Sequence, residues 1–263
     1  MELRPLGSTG MQVSVLGLGT VKIGRNEGVK YPSGFELPDD AEVRDLLALA
    51  RELGINLIDT APAYGTSEER LGKLLPDTGD WIIVSKVGES FEDGQSSFDF
   101  SAAGTRASIE RSLRRLGRDY IDAVLVHSDG DDMRIIHEEP VLETLDRLKQ
   151  EGLIRAYGMS TKTVEGGLWV VEHCDIVMAT CNPEYTDELP VLEAAATHHK
   201  GVLIKKAFMS GHLHRLEGGD PVETSLRFVF SQPGVSSVVL GTINPEHLKS
   251  NACASCIACC FIC

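Results

Sequence analysis

Short apolar runs alternate with amphipathic stretches along almost the whole chain. Residues 3–15 alternate apolar and polar positions around Gly7-Ser8-Thr9-Gly10, which predicts a hairpin. Residues 14–20 then predict a buried strand, with Gly17 and Gly19 where another group must approach closely. Residues 25–37 are rich in Gly, Pro and polar side chains and predict a loop. From there the rhythm is regular. Asp39 or Asp40 can cap a helix that runs to Leu53 and stops at Gly54. Strands are expected at 55–58, 81–85, 120–126, 154–159, 175–179, 202–208 and 236–241. Helices are expected at 68–75, 103–116, 139–150, 163–173, 189–199 and 220–230, with a polar loop between strand 81–85 and the helix that follows it.

With strand 14–20 included, the count is eight strands separated by helices. Several strands are unbroken apolar runs, as a parallel sheet covered on both faces requires. Eight β/α units in 263 residues match the size of a closed (β/α)8 TIM barrel, here preceded by an N-terminal β-hairpin. The rival, an open doubly wound sheet, normally shows three spaced glycines after its first strand. Gly17-Leu18-Gly19 lacks the third and lies inside the strand. No change of composition marks a linker, so residues 1–251 are expected to form one barrel domain and residues 252–263 a cysteine-rich C-terminal tail.

Charge narrows the function. A net charge of -14 leaves no basic stripe for a nucleic-acid backbone. No apolar run is long enough to cross a membrane, and the start shows no basic region followed by an apolar one. The expectation is a cytoplasmic protein, a monomer or small oligomer, that acts on a small molecule.

The candidate chemistry lies where strands end. The apolar run 55–58 leads into Asp59, and Tyr64 follows on the next turn. Strand 81–85 leads into Lys86, and strand 120–126 into His127. Active sites of barrels sit at the carboxyl ends of their strands. Taken singly, an aspartate after a strand is more often a turn residue, and a histidine is more often a satisfied polar group. A lysine buried at a strand end is rarer and points more to function. Together the four suit proton transfer. An ammonium beside a phenol favours the phenolate and makes the hydroxyl a better donor. A carboxylate holds that ammonium in place, and an imidazole can bond a carbonyl.

The chain resembles the aldo-keto reductase family over nearly its full length. The resemblance is carried by Gly17-Leu18-Gly19-Thr20, by Asp59-Thr60-Ala61-Pro62-Ala63-Tyr64-Gly65, by Ser85-Lys86, and by the run from Asp122 to His127. Gly158-Met159-Ser160 and the segment from Gly241 to Asn251 add to it. The resemblance implies a barrel that binds NADPH, with NADH the alternative, and reduces aldehyde or ketone carbonyls. It implies Tyr64 as the acid, Asp59 and Lys86 as the residues that tune it, and His127 as the group that orients the carbonyl. It also implies cofactor contacts at Gly19, Thr20, Asp59, Ser160, Gly241, Thr242 and Asn251, and Lys205 with Lys206 is expected to meet the pyrophosphate.

Three departures from the family qualify this reading. Thr161 and Met178 stand where the family has an asparagine and a glutamine around the carboxamide, and Lys205 stands where it usually has a stacking aromatic. Met178 and Lys205 motivate a second expectation, a nucleotide-binding sensor or regulatory barrel with little turnover. The cysteines at 253, 256, 259, 260 and 263 motivate a third, a metal or redox role for the tail. Against it stands a plain helix extension in which cysteines act as small apolar residues. No metal ligands are assigned. The acidic residues Asp129, Asp131 and Asp132 are expected on a solvated loop tip.

Overall fold

The computed structural model describes residues 1–29, 34–75, 80–213 and 219–260, with only the backbone of Cys260. Part of the expected loop at 25–37 and the last three residues of the expected tail lie outside them.

The chain opens with an antiparallel hairpin, β1 (Leu3–Pro5) and β2 (Gln12–Ser14). Next come β3 (Leu16–Gly19), α1 (Val21–Gly24), α2 (Asp40–Glu52), β4 (Leu57–Asp59), α3 (Ser67–Leu74) and β5 (Ile82–Val87). A second hairpin, β6 (Glu89–Glu92) and β7 (Gln95–Phe98), precedes α4 (Ala102–Leu116). The rest alternates: β8 (Ile121–His127), α5 (Asp132–Glu138), α6 (Val141–Gln150), β9 (Ile154–Ser160) and α7 (Val164–His173). It closes with β10 (Ile176–Thr180), α8 (Leu189–Thr197), β11 (Gly201–Lys205), α9 (Pro221–Phe230), β12 (Val235–Leu240) and α10 (Pro245–Cys260).

Eight of these strands close a parallel barrel in the order β3-β4-β5-β8-β9-β10-β11-β12, with β12 returning to β3. The chain is therefore a (β/α)8 barrel with an N-terminal hairpin. Side chains alternate between its two faces, as the pleat requires. Leu57, Val84, Ala123, Leu125, Ala156, Ile176, Met178 and Leu203 fill the barrel, and Leu6 and Val13 of the first hairpin join them from its amino-terminal end. Ile58, Ile83, Val124, Val126, Val177, Val202 and Ile204 face outward and pack beneath the helices. The same alternation, carried two residues past Leu57, Val84, Leu125 and Leu203, turns Asp59, Lys86, His127 and Lys205 into the barrel mouth.

Local chemistry fixes the helix starts. Asp39 forms a capping box with Glu42, each side chain bonding the other's backbone N–H at 2.8 Å. Ser101, Thr163 and Asp220 likewise accept backbone N–H groups at the starts of α4, α7 and α9.

Two expectations need correction. The polar loop after strand 81–85 is the β6–β7 hairpin, turned by Asp93 and Gly94 with φ of 49° and 78°. Its strands lack an apolar face, so no alternation marks them, but the Asp-Gly pair is a turn signal. The acidic run at 129–132 is not a solvated tip throughout. Asp132 begins α5 and is buried, and its Oδ2 accepts hydrogen bonds from the Lys162 and Thr163 N–H groups and the Thr163 hydroxyl. A carboxylate so enclosed braces the β9–α7 connection.

At the far end, α10 runs unbroken from Pro245 through Asn251 to Cys260. Ala252, Ala254, Ala258 and Cys259 are buried, while Cys253 and Cys256 are exposed. Among the described residues, no group of three or more His, Cys, Asp or Glu is arranged to hold a metal ion. Among them also, no helix is long and apolar enough to cross a membrane.

Candidate active site

Lys86 and Asp59 meet inside the barrel mouth, 2% and 3% exposed. The ammonium donates to Asp59 Oδ1 at 2.5 Å and to the Thr60 carbonyl at 3.0 Å. A buried charge without its partner costs several kcal/mol, so each holds the other in place.

The turn after β4 brings Tyr64 back over this pair. Its hydroxyl lies 3.5 Å from Asp59 Oδ2, and Lys86 Nζ sits 4.8 Å from its ring centre. Gly65 makes the turn: its φ is +60°, and a Cβ there would come within 2.2 Å of the Gly24 carbonyl oxygen. Beneath it the hydroxyls of Ser67, Thr20 and Thr60 form a chain. Ser67 donates to Thr20 at 2.7 Å and lies 3.0 Å from Thr60, and Thr20 donates to the Asp59 carbonyl at 2.9 Å. These bonds tie the carboxyl ends of β3 and β4 to α3 and fix the Asp59 backbone.

His127 completes the set. Its ring meets that of Tyr64 edge-on, 6.4 Å between centres and 88° between planes. The ring is densely surrounded, although 23% of the side chain still faces the cleft. Its Nδ1 lies 2.7 Å from Glu89 Oε2, off the line a hydrogen bond requires but within ion-pair distance. Burial pulls the His127 pKa below its ordinary value, and Glu89 pulls it the other way. Burial also opposes ionisation of Glu89, yet His127, the Ser96 hydroxyl and Arg25 outweigh it and hold its carboxyl at about 2. Reading by strand ends did not find Glu89, because it lies on the hairpin arm two residues past β5. The arm itself is braced: Arg25 stacks 3.3 Å from the Phe91 ring centre and bonds the Ala63 carbonyl next to Tyr64.

Lys205 faces this group across the mouth from the end of β11. Its ammonium donates to Ser160 Oγ at 2.8 Å and to the Thr161 carbonyl at 2.5 Å. Burial lowers its pKa, and Glu188 works against that, leaving it at about 8.

These residues enclose a chamber of about 260 Å³, lined by Gly19, Thr20, Asp59, Tyr64, Lys86, His127, Ser160, Met178, Lys205 and Gly241 among others. It opens into a cleft of about 850 Å³ beside Arg25, Glu89, Thr161 and Glu188. All four expected catalytic residues therefore line one space, together with most of the expected cofactor contacts. Thr242 and Asn251 do not line either cavity. Thr242 Oγ1 accepts the Asn244 N–H at 3.1 Å, and Asn244 Oδ1 accepts the N–H groups of Glu246 and His247 at the start of α10. Asn251 is buried two turns further on.

The chain matches the model of the aldo/keto reductase family over residues 15–188. It is 56% identical to PA4992 of Pseudomonas aeruginosa, provisionally an aldo-keto reductase, whose crystal structure superposes with a TM-score of 0.89 over 98% of this chain and 96% of that one. It is 28% identical to the uncharacterized oxidoreductase YqkF of Bacillus subtilis, over 95% of this chain and 90% of YqkF. It is also 28% identical to L-galactose dehydrogenase of Arabidopsis thaliana, over 97% of this chain and 88% of that enzyme.

Proposed function

Because the chain belongs to the aldo/keto reductase family, we propose that it reduces aldehyde or ketone carbonyls to alcohols with a nicotinamide cofactor, NADPH by preference, and with Tyr64 as the proton donor. The observation that carries the proposal is the buried Asp59–Lys86 pair, set under the Tyr64 ring in a chamber that His127 also lines.

The residues present suit the cofactor. Gly19 and Gly241 both line the chamber and pack so closely that a Cβ at Gly19 would meet Val239 Cγ1 at 3.1 Å and the Gly241 N at 3.4 Å. On the opposite side the Ser160 hydroxyl and the Lys205 ammonium provide polar groups for a carboxamide, and Thr161 Oγ1 is buried with no hydrogen-bond partner among the described residues. Gly19, Thr20, Asp59, Ser160, Lys205 and Gly241 would hold the nicotinamide end, with Thr242 and Asn251 further along. When bound, the cofactor supplies the hydride.

The protein supplies the proton and the geometry. Tyr64 gives its hydroxyl proton to the carbonyl oxygen as negative charge develops there. The Lys86 ammonium, 4.8 Å from the ring centre, favours the phenolate left behind. Asp59 keeps that ammonium in place. His127 directs its other nitrogen, Nε2, at the same oxygen and fixes which face of the carbonyl is presented. The larger cleft accommodates the rest of the substrate, with Arg25, Glu89, Lys162 and Glu188 along its walls. The similarity to L-galactose dehydrogenase supports polyhydroxylated aldehydes among the candidates.

The test is NADPH or NADH oxidation with a panel of small aldehydes, ketones and aldoses. Turnover with any of them is expected. Binding of cofactor without turnover of any carbonyl would favour a sensing barrel instead.

A further inference from the structure

We infer that Lys205 makes this chamber distinguish the redox states of its cofactor, holding the reduced nicotinamide more tightly than the oxidised one. The inference rests on the reductase reading above. Hydride transfer needs its two carbons about 3–3.5 Å apart. A carbonyl against Tyr64 and His127 therefore draws the nicotinamide ring into the same chamber of about 260 Å³, whose opposite wall is Lys205.

The oxidised ring is a pyridinium cation and the reduced ring is neutral. A fixed ammonium across so small a space repels the first and is indifferent to the second, and low polarity strengthens the repulsion. Lys205 is fixed. Its Nζ is held by the Ser160 hydroxyl and the Thr161 carbonyl, both neutral acceptors that orient the charge without cancelling it.

The other charges nearby do not remove it. Asp59 is paired with Lys86 at 2.5 Å, and Glu89, which His127 and the Ser96 hydroxyl orient without neutralising, lines the outer cleft and not the chamber. Glu188, the carboxylate acting most strongly on Lys205, is itself buried. Burial favours its neutral form, whereas Lys205 and hydrogen bonds with Thr180 favour the carboxylate, and it lines the outer cleft and not the chamber. Lys206 and Lys162 add positive charge, Asp132 offsets part of it, and burial keeps His127 toward its neutral form. Among the charged groups that line the chamber, Lys86 is paired with Asp59, whereas Lys205 is held by neutral acceptors. An enzyme so built retains the reduced cofactor and releases the oxidised form more readily.

The experiment is a fluorescence titration of the full chain with NADPH and NADP⁺ separately, on the wild type and Lys205→Met, at about pH 6.5 and about pH 9.5, on either side of the Lys205 pKa of about 8. At the lower pH the wild type is expected to bind the reduced form about tenfold or more tightly than the oxidised form, with a gap in Lys205→Met of about threefold or less. At the higher pH the wild-type gap narrows toward that of the variant and by more than the variant's own gap moves. A gap equally wide in Lys205→Met, or no gap in the wild type at the lower pH, would overturn the inference while leaving the reductase reading intact. If the wild type binds none of NADPH, NADP⁺, NADH and NAD⁺, both readings fall. The pH comparison uses wild-type protein, so the inference remains testable even if Lys205→Met folds poorly.

Discussion

Glu89 Oε2 stands 2.7 Å from Nδ1 of His127, and the two residues belong to different kinds of structure. His127 ends a barrel strand, whereas Glu89 rides on a hairpin arm outside the barrel. The pair orients the imidazole from its far side and leaves the nitrogen facing the chamber for the substrate. Glu89→Gln keeps the shape and removes the charge. It is expected to lower kcat/KM by about tenfold or more and to lower the His127 pKa further, since Glu89 is what raises it. NMR titration of the His127 imidazole checks the second effect independently of turnover.

The same pair makes stability depend on pH. Glu89 has a folded pKa of about 2, below its ordinary 4.5, so the stability it contributes is complete above about pH 4.5 and is lost as pH falls toward 2. Urea unfolding at about pH 6 should separate wild type from Glu89→Gln by about 1–3 kcal/mol. At about pH 2.5 most of that gap should have closed. A gap that stays constant across this range would mean the glutamate acts by shape alone.

Tyr64→Phe removes one oxygen and little else. Carbonyl reduction is expected to fall by a factor of about 10²–10⁴, with cofactor affinity unchanged within about threefold. Single-turnover kinetics beside an equilibrium titration will separate the two effects. A Tyr64→Phe enzyme of normal rate would move the proton donor elsewhere.

Asp59 and Lys86 should behave as a unit in folding as well as in chemistry. Either Asp59→Leu or Lys86→Met alone strands a buried charge and is expected to cost about 3–5 kcal/mol of stability. The double variant should cost clearly less than the sum, by about 1–3 kcal/mol. Denaturant unfolding of the four proteins gives the coupling directly.

Asp132 offers a contrast. Four hydrogen bonds converge on its carboxylate, from the Ser128 and Thr163 hydroxyls and two backbone N–H groups. Asp132→Ala leaves these donors unsatisfied and is expected to cost about 2–4 kcal/mol, read as a fall in Tm of several degrees. Asp59, Tyr64 and Lys86, built on β4 and β5, should keep their geometry.

Much of the barrel was legible in the chain because its apolar pattern coincides with the fold. Unbroken apolar runs mark β4, β5 and β8 as strands buried on both faces, and the polar residues that end them, Asp59, Lys86 and His127, mark the mouth. Helix starts were legible where a side chain bonds the backbone locally, as Asp39 does. The β6–β7 hairpin was not, because its outer strand is exposed and its inner one only half-buried, and no buried face imposes alternation. Glu89 was hidden with it, since a glutamate on an exposed arm differs in no local way from a solvated one. Asp132 was misread for a related reason: burial of an acid depends on donors 30 and 31 residues away, which no local pattern reveals.

The tip of the β6–β7 arm, Asp93-Gly94, is a surface turn, and the arm is pinned near its base by Glu89 and through Phe91 by Arg25. An arm held in this way acts as a lever on the imidazole. Lengthening, stiffening or retwisting the tip changes how firmly Glu89 is presented to His127, without touching any residue of the barrel. The enzyme thus carries a tuning handle on its outside, where directed evolution could adjust the reactivity of the histidine and the width of the cleft while the strands that hold Tyr64 and Lys86 stay as they are.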